Sequence, residues 1–476
     1  MSESRKIIEI RDGVIANSSY AMGSPVNFSV EKGEQIAVVG DNAAGKTRFV
    51  GILTGQYRLK DSVVHYDFPS GGSPYVSDNV RYISFRDSYG AFDASYYMQQ
   101  RWNQMDIDPE TPTVGQILDR ISSGCGPRLE KLMSIFHLEG MRDKYVISLS
   151  SGELRKFLLI KQLASLPEVL VMESPYIGLD IETRGQLNLL FESLIREAGL
   201  TLILVLSRME EVPQFITHIV PVKGLEVGPK YPFSAAPDGR ETDGRPSGTR
   251  DGDRVSAEVL RLNGVTIRYG DRTILKDLSW VVRRGEHWAL TGANGSGKST
   301  LLSLICADNP QAYACDIELF GRRRGTGESI WDIKKNIGYV SPEMHRSYYR
   351  SIPALDIVAS GLFDTVGLYR RPSESQKESC LAWMERFGIA SLAQRNFLSL
   401  SSGEQRMCLV ARAFVKNPPL LILDEPMHGL DNASTAKVRS IIDGYCSDPE
   451  KTLIMVTHYT EELPACIDHR LQLRRL

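Results

Sequence analysis

An eight-residue pattern that occurs twice constrains this chain more than anything else in it. Gly292-Ala293-Asn294-Gly295-Ser296-Gly297-Lys298-Ser299 fits G-x-x-x-x-G-K-[ST] at every fixed position. Gly40-Asp41-Asn42-Ala43-Ala44-Gly45-Lys46-Thr47 fits it again, 252 positions earlier. Before the later copy runs His287-Trp288-Ala289-Leu290, short and apolar enough for a buried strand. After it, Thr300-Leu301-Leu302-Ser303-Leu304-Ile305 carries apolar residues at helical spacing. Strand, glycine turn and helix together predict a phosphate cradle. The glycines let backbone N–H groups approach the phosphates, and the helix N-terminus favours negative charge. Lys298 is expected to reach the β- and γ-phosphates, and the Ser299 hydroxyl to ligate Mg²⁺, with Lys46 and Thr47 their counterparts.

More than the loop is repeated. Leu149-Ser150-Ser151-Gly152-Glu153 returns as Leu400-Ser401-Ser402-Gly403-Glu404, 251 positions on. Ser174-Pro175-Tyr176-Ile177-Gly178-Leu179-Asp180 returns as Glu425-Pro426-Met427-His428-Gly429-Leu430-Asp431 at the same offset. A repeat of this length is a domain duplication, not a solenoid. The expected division of the 476 residues is therefore a first domain over 1–228, a linker over 229–256 and a second domain over 257–476. The linker is assigned from its proline, glycine and mixed charge without apolar periodicity.

Each half reads as α/β. Val38-Val39 and Leu420-Leu421-Ile422-Leu423 are continuous apolar runs, which suit parallel strands buried on both faces. The less regular stretches 81–145 and 341–397 are expected as inserted, largely helical subdomains.

Composition narrows the class. A net charge of −2 argues against broad coating of nucleic acid, although it leaves room for a local basic patch. The seven cysteines (125, 306, 315, 380, 408, 446 and 466) form no C-x-x-C pair, so spacing alone supports neither a zinc nor an iron–sulfur site. Scattered thiols fit a reducing cytoplasm. No window approaches ~18 apolar residues, so any membrane role needs a separate subunit.

The order of phosphate loop, L-S-x-G-[EQ], an apolar strand ending Asp424-Glu425-Pro426 and a strand ending in His458 resembles the ATP-binding-cassette ATPases. The resemblance covers essentially everything outside the linker. It implies two ATP molecules sandwiched between halves that close head to tail. It makes Gly292 to Thr300 and Gly40 to Thr47 the nucleotide contacts. Asp424 is the implied Mg²⁺ side chain, Glu425 the general base, His458 the switch residue at the γ-phosphate and Tyr269 the adenine-stacking ring. Ser150 and Gly152 would then face the nucleotide on Lys298, and Ser401 and Gly403 the nucleotide on Lys46.

Two departures qualify that picture. The first half has Glu173-Ser174 where the second has Asp424-Glu425, and Ser207 where the second has His458. It offers Tyr20 for adenine only if the register slips. The expected outcome is a first site that binds ATP but hydrolyses it poorly. In both halves the loop that senses a membrane partner in transport cassettes lacks its usual Gln, reading Ser84-Phe85-Arg86 and Ser341-Pro342-Glu343.

More narrowly, Gly361 to Tyr369 and Glu461 to Leu471 resemble the molybdate-associated tandem cassette proteins of the ModF type, also described as photorepressor-like. That implies a link to molybdenum transport through a membrane partner. The alternative is a soluble regulatory or nucleic-acid-linked ATPase.

Overall fold

The computed structural model describes residues 5–60, 63–68, 73–84, 111–121, 126–136, 138–146, 149, 151–164, 167–176, 181–234, 257–270, 272–293, 295–342, 344–348, 350–457 and 459–475. The chain divides into two compact units, with residues 5–84 and 111–234 in the first and 257–475 in the second.

Among the described residues, each unit holds a run of five parallel strands in the same order, and in the first unit short antiparallel strands add to its edge. In the second unit the order is Ile337–Val340, Leu420–Asp424, Thr452–Val456, His287–Thr291 and His469–Gln472, all parallel. In the first it is Val80–Ser84, Val169–Glu173, Thr201–Leu206, Ile36–Val39 and His218–Lys223, again parallel. The strand feeding each glycine loop is thus flanked by the same two neighbours in both units. A separate antiparallel sheet stands beside each, built on Lys6–Ile15 in the first unit and on Glu258–Tyr269 in the second.

The apolar runs behave as two-sided strands. Leu420, Ile422, Ile454 and Val456 pack with the antiparallel sheet and the helix Lys298–Ile305. Leu421, Leu423, Leu453 and Met455 pack on the opposite face, against a helical layer that includes Ala354–Ala359, Glu374–Phe387 and Ser402–Phe414. Residues of alternate parity therefore feed two cores, which is why the sequence runs apolar without alternation. The stretch 341–397 is helical as expected. The described part of 81–145 carries the helices Val114–Ile121 and Gly126–Phe136.

The described chain of the first unit continues past residue 228. Tyr231–Pro232 pairs antiparallel with Ile219 and His218, and the Phe233 N–H donates to Thr217 O at 2.8 Å. Lys230 anchors the segment, its ammonium 2.6 Å from Glu34 Oε1 with both side chains largely buried. Residues 230–233, within the stretch expected as linker, therefore pack on the first unit. The remainder of that stretch, 235–256, lies outside the described residues. Among the described residues, no helix is long and apolar enough to cross a membrane.

Candidate functional site

In the second unit, Thr291 ends a core strand and the chain turns at once into the glycine loop. Gly292 has φ +149, and a Cβ there would fall 2.5 Å from Leu473 O and 2.6 Å from Ser296 Oγ, so no other residue fits. The helix begins at Lys298 directly after Gly297, whose φ is +95. Lys298 is buried. Its ammonium donates to Gly292 O at 2.6 Å and Ala293 O at 3.0 Å, which holds it across the mouth of the loop. Ser296 is also buried, and its Oγ has no hydrogen-bond partner among the described residues. A cradle closed to any Cβ, a buried cation and a buried hydroxyl in want of a partner fit a phosphate group. Ser299 is exposed, while Thr300 turns inward and is buried. Asn294 lies outside the described residues.

The strand Leu420–Asp424 delivers the acidic pair. Asp424 is its last residue and is buried. Glu425 then adopts φ +48, a left-handed conformation that L-residues seldom hold, while its N–H donates to Val456 O at 2.9 Å. That bond ties the turn to the neighbouring strand. Its Oε2 stands 2.6 Å from His428 Nδ1, three residues on. His458, expected at the end of Thr452–Val456, lies outside the described residues.

The signature forms a helix start. Ser401 is the N-cap of Ser402–Phe414. Its hydroxyl accepts from the Glu404 N–H, and the Glu404 carboxylate accepts from the Ser401 N–H at 2.7 Å. Such a capping box explains why Glu serves where the family pattern has Gln. Gly403 lies in the first turn and is buried.

Arg406, one turn on, is fully enclosed. Its guanidinium donates to Ser341 O at 3.1 Å, Asp424 O at 3.0 Å and Pro426 O at 3.3 Å, and also to Glu425 O. Burial pulls its pKa below the ordinary value, while Glu425 and Asp424 oppose that pull. One side chain thereby joins the signature helix to the acidic strand end and to the loop after Ile337–Val340.

Tyr269 ends the strand Glu258–Tyr269 and packs half-buried against the core, with Asn309 Nδ2 donating to its hydroxyl at 2.9 Å. Tyr20, the candidate in the first unit, is exposed and stacks on Tyr57 with ring centroids 5.3 Å apart.

The first unit repeats the scaffold with altered chemistry. Lys46 is buried and donates to Gly40 O and, at 2.8 Å, to Asp41 O. Ala43 takes φ +62 where the second loop has Gly295 at +79. Gly45 precedes the helix with φ +106, and Ala44 is buried where the second loop has Ser296. Asn42 accepts from Ser207 Oγ at 3.4 Å. Thr47 Oγ1 donates to Glu173 Oε1 at 3.1 Å, and the Tyr82 hydroxyl donates to the other carboxylate oxygen. Ser174 has φ +53 and donates its N–H to Val205 O at 2.9 Å. Gly152 lies in the first turn of Ser151–Leu163, and Ser150 lies outside the described residues.

Three participants escaped the sequence. His428 and Arg406 read as ordinary members of a turn and a helix. Tyr82 sits 91 positions from Glu173. The one signal available was the correspondence of Tyr82 with Tyr339, each in the strand Val80–Ser84 or Ile337–Val340 of its own unit.

A family model described as ABC transporter matches residues 24–176 and 275–428. The ABC transporter ATP-binding protein ModF of Escherichia coli (strain K12) is 36% identical over 470 residues, which are 94% of this chain and 92% of that protein. An uncharacterized ABC transporter ATP-binding protein of Schizosaccharomyces pombe (strain 972) is 27% identical over 474 residues, 97% of each. The dimeric structure of a bacterial ABC transporter cassette aligns over 45% of this chain and 94% of its own, with a TM-score of 0.40 and 22% identity. Both glycine loops fall within matched segments, and so do both acidic strand ends. The chain belongs to the ABC transporter family and is a tandem ATP-binding-cassette ATPase.

Proposed function

We propose that the chain binds two ATP molecules between head-to-tail cassettes and hydrolyses mainly the one held by Lys298. One observation carries this asymmetry. Glu425 and Ser174 occupy the same backbone position, each with a left-handed φ and each bonded to the neighbouring strand, at Val456 O and Val205 O. One offers a carboxylate and the other a hydroxyl. A hydroxyl is no base near neutral pH, so only the second unit can deprotonate an attacking water.

In this reading Lys298 and the loop N–H groups orient the phosphates, and Glu425 accepts the proton, completed by His458 and by Ser150 and Gly152. Ser299 and Asp424 would hold Mg²⁺, which neutralises charge on the phosphates. In the first site Thr47 and Glu173 would hold it, and Ser401 and Gly403 would cover the nucleotide. Tyr269 would meet the adenine. The test is a single-turnover assay with trapped nucleotide counted per chain. Two ATP bound and one hydrolysed is the expected result. Two hydrolysed at equal rates overturns it.

For the cellular role, the resemblance of Gly361 to Tyr369 and Glu461 to Leu471 to molybdate-associated tandem cassettes supports an energiser of molybdenum transport, working from the cytoplasm through a membrane partner. One observation favours the second reading, a soluble regulatory or nucleic-acid-linked ATPase. Where transport cassettes present Gln, Ser341 is buried, its Oγ accepting from the Met344 N–H and its carbonyl bonded to Arg406. That position is committed to internal packing. A stoichiometric membrane protein on co-purification supports the first reading, and RNA, DNA or ribosomes support the second.

A further inference from the structure

The second unit carries a cluster of ligating side chains far from its glycine loop. His287 opens the strand that ends at Thr291. Cys446 closes the helix Asn432–Cys446. Cys466 lies just ahead of the strand His469–Gln472. The chain thus brings three separated segments to the amino ends of the parallel strands. The phosphate loop leaves from the carboxyl end, five residues on, or about 16 Å away at ~3.3 Å per residue.

One ring nitrogen of His287 and the two sulfurs lie within 4.8 Å of one another. Both cysteines are free thiols; His287 and Cys446 are buried and Cys466 is partly so. The histidine is already oriented. Its Nδ1 lies 3.2 Å from Cys466 O and 3.8 Å from Asp468 Oδ2. Asp468 Oδ1 also accepts from the His287 N–H at 2.9 Å, and the Asp468 N–H donates back to His287 O at 3.1 Å. With the proton on Nδ1 and given to a carbonyl, Nε2 keeps its lone pair. That Nε2 is buried and makes no hydrogen bond of ordinary geometry among the described residues, while the Cys446 thiol stands near enough to interact with the ring. Asp443 Oδ1 accepts from the Cys466 N–H at 3.0 Å and so fixes the chain that presents the second sulfur.

We propose that His287, Cys446 and Cys466 form a binding site for a thiophilic, zinc-class metal ion. Two thiolates and an imidazole are a donor set for such an ion, and carboxylate-seeking Mg²⁺ or Ca²⁺ does not suit them. Zinc bonds of roughly 2.0–2.3 Å require ligand atoms roughly 3.5–3.8 Å apart, so the three groups need close by at most about 1 Å on binding. The ion displaces one proton from each thiol, and both leave to solvent. A donated Nδ1–H on a backbone carbonyl is the usual outer support of a metal-bound histidine. The ion would clamp the strand that feeds the glycine loop to the helix that follows Asp431.

The test uses the reduced, chelator-treated full-length protein, titrated with Co²⁺ in the absence of nucleotide. One Co²⁺ per chain with a strong near-ultraviolet thiolate-to-cobalt band, bleached by one equivalent of Zn²⁺, is expected. The double variant Cys446→Ser/Cys466→Ser should weaken binding by about 100-fold or more. No thiolate band, or an unchanged band and affinity in the double variant, overturns the proposal. Should that variant fail to fold, maleimide labelling of the native chain decides the matter. Zn²⁺ should slow labelling of Cys466 about tenfold or more and leave Cys315 unaffected, because a metal-bound sulfur is no longer a free nucleophile. Equal labelling of Cys466 with and without Zn²⁺ overturns it.

Discussion

The imidazole Nδ1 of His428 stands 2.6 Å from Glu425 Oε2, and each side chain is only 12% exposed. The His428 N–H also donates to Glu425 O at 3.2 Å, so the turn itself sets the pair's geometry. In the proposed reaction Glu425 is the base, and a base with one oxygen held by a neighbour is restricted in orientation. His428 therefore reads as a positioning residue for Glu425.

Replacing His428 tests that role. A hydrogen bond to a charged group is worth roughly 1.5–3 kcal/mol, so His428→Ala should lower kcat by about 10–100-fold. ATP affinity should stay unchanged. His428→Asn, which still donates to a carboxylate, should recover much of the loss. Single-turnover rates beside equilibrium nucleotide binding make the measurement. An unchanged kcat removes the role.

The acidic strand ends should differ in consequence. Glu425→Gln should keep ATP binding and lower turnover by about 10²–10⁴-fold, the worth of a positioned base. Ser174→Ala, at the matching backbone position, should change turnover less than about twofold, since no proton transfer rests on its hydroxyl. A steady-state ATPase assay on both variants suffices. Comparable losses would mean that both strand ends take part in catalysis.

Arg406 should matter for architecture before chemistry. Its guanidinium bonds the carbonyls of Ser341, Asp424, Glu425 and Pro426 from a fully enclosed position. Arg406→Ala strands those acceptors, at a cost of about 3 kcal/mol or more. Arg406→Lys keeps the charge but loses the fork, so it should fall between. Denaturant melts that follow the second unit's transition report the order. Full stability in Arg406→Ala would contradict the bonding described.

The two loops should also separate. Lys298→Ala should abolish turnover, and Ser150→Arg should nearly do so by blocking the cover of the same nucleotide. Lys46→Ala should leave measurable hydrolysis and act through weaker nucleotide binding at the first loop. Nucleotide counted per chain, with single-turnover rates, distinguishes them. Equal losses for Lys46→Ala and Lys298→Ala at saturating ATP would rule out the asymmetric arrangement.

What the sequence alone determined was everything written into contiguous residues. A glycine pattern specifies a turn wherever it occurs, so both phosphate loops were legible, down to Gly292, where a Cβ has no room. Unbroken apolar runs specify strands covered on both faces, so Leu420–Asp424 and Thr452–Val456 were legible as core. The replacement of a carboxylate by Ser174 was legible too, because the duplication supplied its own comparison.

The tertiary structure decided which side chains meet. Thr47 and Glu173 are 126 positions apart, Arg406 and Ser341 are 65 apart, and His287 lies 179 positions from Cys466 O. None of these pairs has a spacing rule, since a loop of any length can close them at an entropic cost that grows only slowly with length. Cysteines that formed no motif along the chain became a ligand cluster, because Cys446 ends a helix and Cys466 precedes a strand at the same edge of one sheet. Periodicity and spacing report local geometry. Long-range pairing follows from sheet order and packing, which exist only once the chain is folded.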